Sequence, residues 1–323
     1  GVEFDYMVGA LLDGFDTMVH LSHSSKVAVF EGDEYLSSPI DLRPKFHHYR
    51  PDIAILTGIA WDHMNVFPTF SNYVEQFAHF IETIQENGSL IFYQGDENIR
   101  QITCRAHSSV KVLPYECLPH TTRNGKTYLR GNEETELQIF GLHNMQNLAA
   151  AFLACREIGI PESDFLKAIA SYKGAAKRLQ KIAETPQSIA YLDFAHSPSK
   201  LKATIQAVKE QYPDKKLIAC MVLHTFSSLN AAFLRQYKNC MDQADTPVVF
   251  FNPEVVAHKK LPAIEAEDVK KGFDCQHLRV FTDNHQLLDY LQQQEYGNTV
   301  LLIMTSGNFS GIDIKATARQ LLG

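Results

Sequence analysis

Thiols are few in this sequence and none are paired. The six cysteines, Cys104, Cys117, Cys155, Cys220, Cys240 and Cys275, include no CxxC spacing. That argues against a thiolate-clustered zinc site and reads as buried free thiols in a reducing compartment. Long apolar runs are also missing. The longest, such as residues 148–155, stop far short of a membrane span. No secretory-signal pattern opens the sequence, so a cytoplasmic protein is expected, with no membrane partner. No block or stripe of one charge stands out. The 30 Lys and Arg face 37 Asp and Glu, a net charge of -7, so a nucleic-acid partner is not expected. Charged small substrates stay open, because a local pocket can oppose the net sign. There is no internal repeat and no low-complexity tract. Methionine is absent from position 1, and Gly1 leads straight into domain-like sequence, so a truncated chain is expected.

Its length of 323 residues is ample for two α/β domains. Short β-branched runs alternate with amphipathic stretches, the pattern of parallel βαβ units. Residues 26–30, 52–57, 89–93 and 110–113 read as strands, with a helix over 71–87. Apolar residues at Tyr73, Phe77, Phe80, Ile81 and Ile84 lie on one face of that helix. Residues 126–130 and 136–140 read as a small β pair, followed by helices over 144–158 and 162–171. A second series has strands at 188–194, 216–223, 247–251, 278–281 and 299–304. Its helices are expected at 199–211, 229–240, 284–293 and 313–322. This is the pattern of a doubly wound domain. The hinge between the series is placed near 174–180, giving domains 1–178 and 179–323.

Five clusters carry chemistry. Glu31-Gly32-Asp33-Glu34-Tyr35 follows the first strand and Trp61-Asp62-His63 follows the second. Parallel strands end on one edge, where ligands bind. A carboxylate and an imidazole meeting there suit a metal ion that bridges phosphate oxygens. On spacing alone, a solvated acidic loop and an unrelated histidine is the plainer reading. Gly141-Leu142-His143-Asn144-Met145-Gln146-Asn147 opens an apolar helix, with Asn144 and Asn147 on one face. Their amides suit an adenine edge, although a capping asparagine explains one of them as well. Lys177-Arg178 sits at the hinge, where two solvated charges are the plainer reading of such a pair, although the position suggests more. Asp193-Phe194-Ala195-His196-Ser197-Pro198 ends a strand. Asp193 is placed to hold a ribose hydroxyl, and the segment also reads as a helix cap. Two further loops, 223–228 and 305–311, are rich in Ser and Thr and close the same edge.

Taken together, these strings resemble the Mur ligase family along nearly the whole chain. The strings that carry it are Glu-Gly-Asp-Glu-Tyr, Arg-Pro-Asp-Ile-Ala-Ile-Leu at 50–56, Trp-Asp-His, Gly-x-His-Asn-x-x-Asn and Asp-x-x-His-x-Pro. The resemblance implies an α/β fold, with a central ATPase domain and a Rossmann-like C-terminal domain. It implies magnesium ligands at Glu31 and His63, adenine contacts at Asn144 and Asn147, and phosphate contact by Arg178. It further implies nucleotide contacts at Asp193 and at His196 in the loop beside it, with the 224–228 and 305–311 loops lining the amine pocket. The implied cofactors are ATP and Mg2+. The implied reaction joins UDP-N-acetylmuramate to a peptide or amino-acid amine, either L-alanyl-γ-D-glutamyl-meso-diaminopimelate or L-alanine, through an acyl phosphate. Two departures follow. Phe77 stands where some members carry a carbamylated lysine, so that modification is not expected. No Gly-x-x-Gly-Lys-Thr loop occurs anywhere in the sequence, so this polypeptide alone is expected to be inactive. A non-catalytic binding relative and a folate-polyglutamate type ligase are the competing readings.

Overall fold

The computed structural model describes residues 2–9, 15–61, 66–131, 133–307, 309 and 311–323. By contacts the chain divides into two compact units. Unit one is Gly1–Leu118 with Gln146–Ala168, and unit two is Pro119–Met145 with Ile169–Gly323.

Unit one carries two three-stranded sheets. In the first, Phe4–Met7 pairs antiparallel with Val19–His20 and parallel with Val27–Phe30. In the second, Ser89–Tyr93 lies between Ile53–Leu56 and Lys111–Tyr115, all parallel. Side chains alternate faces along a strand, so Leu90 and Phe92 point one way and Ile91 the other. Leu90, Phe92, Ala54 and Leu56 meet Tyr73, Phe77, Phe80 and Ile81 of helix Phe70–Glu82. Burying each such large side chain contributes about 1.5–3 kcal/mol. The Thr69 hydroxyl accepts from the Asn72 N–H and starts that helix. On the other face Ile91 and Tyr115 pack on Ala149 and Ala150 of helix Leu142–Glu157. Glu157, at the end of that helix, accepts from Ser89 Oγ at 2.9 Å and Lys111 Nζ at 2.7 Å. The helix therefore ends at the amino end of the strands, and Asn147 lies toward their carboxyl edge.

Unit two is built on a six-stranded sheet in the order Gln180–Glu184, Ile189–Asp193, Thr299–Met304, Lys216–Val222, Thr246–Phe250, Arg279–Phe281. The first strand is antiparallel and the other five are parallel. Both faces are covered. Ala190, Leu192, Cys220, Leu301 and Ile303 pack with Leu287 and Ala318 from helices Asn284–Gln292 and Ile314–Leu322. Asp193 faces the other way, toward Thr204 of helix Pro198–Gln211. The last strand, Thr299–Met304, slots between Ile189–Asp193 and Lys216–Val222. The five parallel strands share one carboxyl edge, the edge where such sheets bind ligands.

A three-stranded meander, His120–Arg123, Lys126–Leu129 and Thr135–Leu137, belongs to unit two. Its first turn is Asn124-Gly125, with both φ values positive, as a tight hairpin requires. Thr127 Oγ1 donates to Gln211 Oε1 at 2.9 Å, and Gln211 Nε2 donates to the Gly125 carbonyl at 2.7 Å. These bonds tie the meander to helix Pro198–Gln211.

The structure corrects several expectations. The helix expected over 229–240 is a four-residue helix, Ala231–Leu234, running into a 3-10 turn at Arg235–Tyr237. Asn239 takes a left-handed backbone there and turns the chain away. Strands Phe4–Met7, Val19–His20, His120–Arg123 and Gln180–Glu184 were not expected, nor were helices Glu97–Ile102, Pro253–His258 and Ala266–Phe273. Of the six thiols, only Cys220 and Cys240 are buried, and Cys104 is exposed.

Candidate functional site

The carboxyl edge of the six-stranded sheet gathers most of the residues singled out in unit two. Asp193 is the last residue of its strand and only 3% exposed. Its Oδ1 accepts from the Ala195 N–H at 2.7 Å and from Thr204 Oγ1 at 3.4 Å. Its Oδ2 accepts from the Leu179 N–H at 2.7 Å. Next in sequence, Phe194 lies beneath the Arg178 guanidinium, 5.4 Å from ring centre to Cζ. Phe194 also meets the His196 ring edge-on at 5.3 Å. His196 Nδ1 hydrogen-bonds the Phe194 carbonyl at 2.9 Å, and the Tyr237 hydroxyl donates to the His196 carbonyl. The structure thus brings Arg178, Asp193 and His196 together.

His143 joins it, and sequence reasoning had not given that residue a role of its own. Burial pushes its imidazole below the ordinary value, with Asp193 opposing the shift and Arg178 adding to it. Its Nδ1 is buried and has no hydrogen-bond partner. The turn before it depends on Gly141, at φ 91°, where a Cβ would lie 2.5 Å from the Ala207 Cβ. Asn144 Nδ2 donates to the Phe140 carbonyl at 2.8 Å and so ties down the first turn of the helix. Asn147 is exposed one turn on.

Across the same edge, Thr305 N–H donates to the Asp193 carbonyl, extending the pairing beyond the strands. Gly307 lies against the His224 ring, where a Cβ would fall 2.5 Å from Cγ. No larger residue fits without displacing that ring. Ser306 Oγ is buried without a partner. Burial and the nearby Lys259 charge both depress the His224 imidazole. Lys259 Nζ sits 4.3 Å from the centre of the exposed Phe226 ring. A cation, an imidazole and an unsatisfied hydroxyl here suit a carboxylate-bearing ligand.

In unit one, the geometry distinguishes among the acidic residues of 31–34. Asp33 is held by Lys45 Nζ at 2.6 Å, and Glu34 accepts from the Tyr73 hydroxyl at 3.1 Å. Glu31 is exposed at the end of its strand and accepts from the Gly9 N–H at 2.5 Å. Trp61 donates from Nε1 to the Phe67 carbonyl at 3.1 Å. Asp62 and His63 lie outside the described residues. Of the two residues expected to hold magnesium, Glu31 is therefore the one whose place can be given, and among the described residues no group of three or more side chains could hold a metal ion. Asp96 had drawn no attention in the sequence. It caps helix Glu97–Ile102 through Oδ1 and accepts the Ile59 N–H through Oδ2 at 2.7 Å, fixing the loop that leads to Trp61.

Residues 15–155 match the Mur ligase middle domain, and residues 177–307 match the Mur ligase glutamate ligase domain. The chain belongs to the Mur ligase family. Among curated Mur ligases it is similar to the UDP-N-acetylmuramate–L-alanine ligase of Porphyromonas gingivalis, at 26% identity over 94% of this chain and 66% of that one. It is also similar to the UDP-N-acetylmuramate–L-alanyl-γ-D-glutamyl-meso-2,6-diaminoheptandioate ligase of Escherichia coli, at 29% identity over 65% of this chain and 48% of that one. The chain therefore spans about half to two thirds of these two relatives. Its fold is that of Thermotoga maritima MurF solved with ADP, with a TM-score of 0.70 at 15% identity over 99% of this chain and 72% of that one. It is likewise that of a murein peptide ligase from Psychrobacter arcticus, with a TM-score of 0.62 at 18% identity over 100% of this chain and 72% of that one. Among the described residues of this Mur ligase chain, no helix is long and apolar enough to cross a membrane.

Proposed function

We propose that this chain is the nucleotide- and amine-handling part of a ligase that couples ATP cleavage to amide formation on UDP-N-acetylmuramate, with its functional division at Arg178. The observation that carries the reading is the convergence of Arg178, Asp193, His196 and His143 at one sheet edge, with the His143 nitrogen buried and unpaired. A buried polar atom without a partner is costly unless a ligand or water completes it.

The donor set suits a nucleoside triphosphate. Arg178 offers an exposed guanidinium with a fixed fork for phosphate oxygens. Asn144 and Asn147 offer amides for the base. Glu31 offers a hard carboxylate oxygen for Mg2+, and His63 is the second ligand carried over from the family resemblance. Mg2+ supplies charge neutralisation at the phosphates. The γ-phosphoryl group passes to the muramate carboxylate, with ADP leaving. The amine then forms the C–N bond, the C–O bond to phosphate breaks, and inorganic phosphate departs. Phosphorylation converts a poor leaving group into a good one. Arg178 stabilises charge on the transferring group, and the edge formed by Ser306, His224 and Lys259 holds a carboxylate of the amine substrate.

The acceptor assigned is L-alanyl-γ-D-glutamyl-meso-diaminopimelate, supported by the Glu31–Tyr35, 41–51 and Trp61–His63 strings. L-Alanine is the second reading, favoured by the longer match to the alanine ligase. The test is phosphate release with ATP, Mg2+ and UDP-N-acetylmuramate, offering each acceptor separately. It is run on this chain and on the product of its complete reading frame. With no Gly-x-x-Gly-Lys-Thr loop in the sequence, this chain alone is expected to be silent. The complete product is expected to respond to the tripeptide. Release with L-alanine alone moves the acceptor, and silence from a folded complete product with both rejects the ligase reading.

A further inference from the structure

The segment that leads into helix Pro198–Gln211 carries Phe194 and His196 but has few local bonds to fix its backbone. Ser197 stands at the N-cap without a side-chain capping bond, and Pro198 has no N–H to offer. Ala195 is tied back to Asp193. Beyond it the chain is held from a distant part of the sequence. The Tyr237 hydroxyl, 41 residues on, donates to the His196 carbonyl.

The surroundings of Tyr237 keep that hydroxyl in place. The residue is fully buried. Its ring stacks on Phe273 at 4.9 Å and 5°, and meets Phe233 edge-on at 5.9 Å. Phe233 belongs to helix Ala231–Leu234, and Phe273 ends helix Ala266–Phe273. The two helices touch where Gly272 faces Leu234, and a Cβ on Gly272 would lie 2.5 Å from the Leu234 Cβ. The backbone tightens to a 3-10 turn at Arg235–Tyr237. The advance per residue there rises from about 100° to about 120°, which sets the direction of the Tyr237 ring. Phenylalanine would serve the packing alone, because burying a hydroxyl is unfavourable unless it is paired. What tyrosine adds is the bond to His196.

That bond reaches the nucleotide edge through His196. His196 Nδ1 hydrogen-bonds the Phe194 carbonyl at 2.9 Å, and the two rings meet edge-on at 5.3 Å. Phe194 in turn lies beneath the Arg178 guanidinium. We propose that Tyr237 is a positioning residue for this edge. Its hydroxyl sets the His196 backbone, and through it the rings of His196 and Phe194 on which Arg178 rests. The functional side of this inference rests on the reading of Arg178, Asp193 and His196 as nucleotide contacts. The structural side does not.

Tyr237→Phe keeps both ring contacts and removes the one bond. The histidine side-chain NMR signals of this chain read its effect, with His196 identified by the signal lost in His196→Gln. The His196 signal is expected to shift in Tyr237→Phe, while those of His47 and His79 in unit one stay in place. Asp283→Ala removes a helix cap at the far edge of the same sheet. It controls for lost stability and should leave the His196 signal unmoved. An unmoved His196 signal in Tyr237→Phe, or the same shift in Asp283→Ala, overturns the proposal. In the active ligase, Tyr237→Phe is expected to raise the KM for ATP roughly fivefold, from the loss of one buried hydrogen bond, with kcat and the KM for the amine little changed. His196→Gln with Tyr237→Phe should be no worse than His196→Gln alone. Additive losses, or a fall in kcat at unchanged KM, would mean that Tyr237 acts by another route, which also overturns it. A ligase silent before mutation would reject the proposed function, and the histidine signals would still decide the positioning.

Discussion

His143 opens the residue scale, because its protonation bears on stability. Its unfolded imidazole titrates near the ordinary 6.5, and in the folded chain burial holds it lower. Below the unfolded value, the unfolded chain binds a proton that the folded chain refuses. The contribution to stability is therefore full above that value and is lost as pH falls toward the folded one. The urea midpoint is expected to drop between about pH 7.5 and about pH 5.5. His143→Gln should make that limb shallower. His47 and His224 shift in the same direction through burial, so some slope will remain. Parallel curves for parent and variant would show that His143 plays no part. The same ring explains why one part of the site was not legible beforehand. The string Gly-x-His-Asn-x-x-Asn pointed to the asparagines, but the pattern of residue types does not say which nitrogen ends up buried without a partner.

At the scale of elements, Asp96 shows how one cap can serve two structures. It starts helix Glu97–Ile102 and also holds Ile59 in the loop after strand Ile53–Leu56. Asp283 caps helix Asn284–Gln292 through the amides of His285 and Gln286. Asp96→Ala is therefore expected to cost about 2–4 kcal/mol, the cap plus a charged hydrogen bond, against about 1 kcal/mol for Asp283→Ala. Chemical denaturation of the two variants checks this, and equal losses would remove the loop from the account. The buried strands were readable because Ser89–Tyr93 and Thr299–Met304 are short apolar runs between turn signals. Gln180–Glu184 was not, since Gln180, Lys181 and Glu184 look like solvated chain. It becomes a strand only by pairing with Ile189–Asp193. Residues 229–240 carry Phe233, Leu234, Tyr237 and Cys240 at helical spacing, but Asn230 starts the helix late, it tightens to a 3-10 turn after Leu234, and the backbone leaves helical geometry at Lys238. Helix Ala266–Phe273 had a readable start in Glu265 and Asp268, a reciprocal capping pair.

At the scale of the molecule, packing does not follow chain order. Unit two recruits Pro119–Met145, so its meander, Phe140 and the bonds to Gln211 precede a stretch that packs in unit one. A fragment 119–323 is expected to melt higher than a fragment 169–323, by at least about 4 °C for two lost hydrogen bonds and the aromatic contacts of Phe140 with Tyr191 and Tyr212. Equal melting temperatures would mean the meander rests on unit two without stabilising it. The antiparallel edge strand Gln180–Glu184 has a mechanical consequence. It begins directly after Leu179 and starts at the end of its partner that carries Asp193. Tension applied to the chain ahead of Leu179 would peel this hairpin like a zipper from the end that carries Asp193, so the first bond to part would be the one at Asp193. The opposite rim of the sheet would feel nothing until the whole strand had come away.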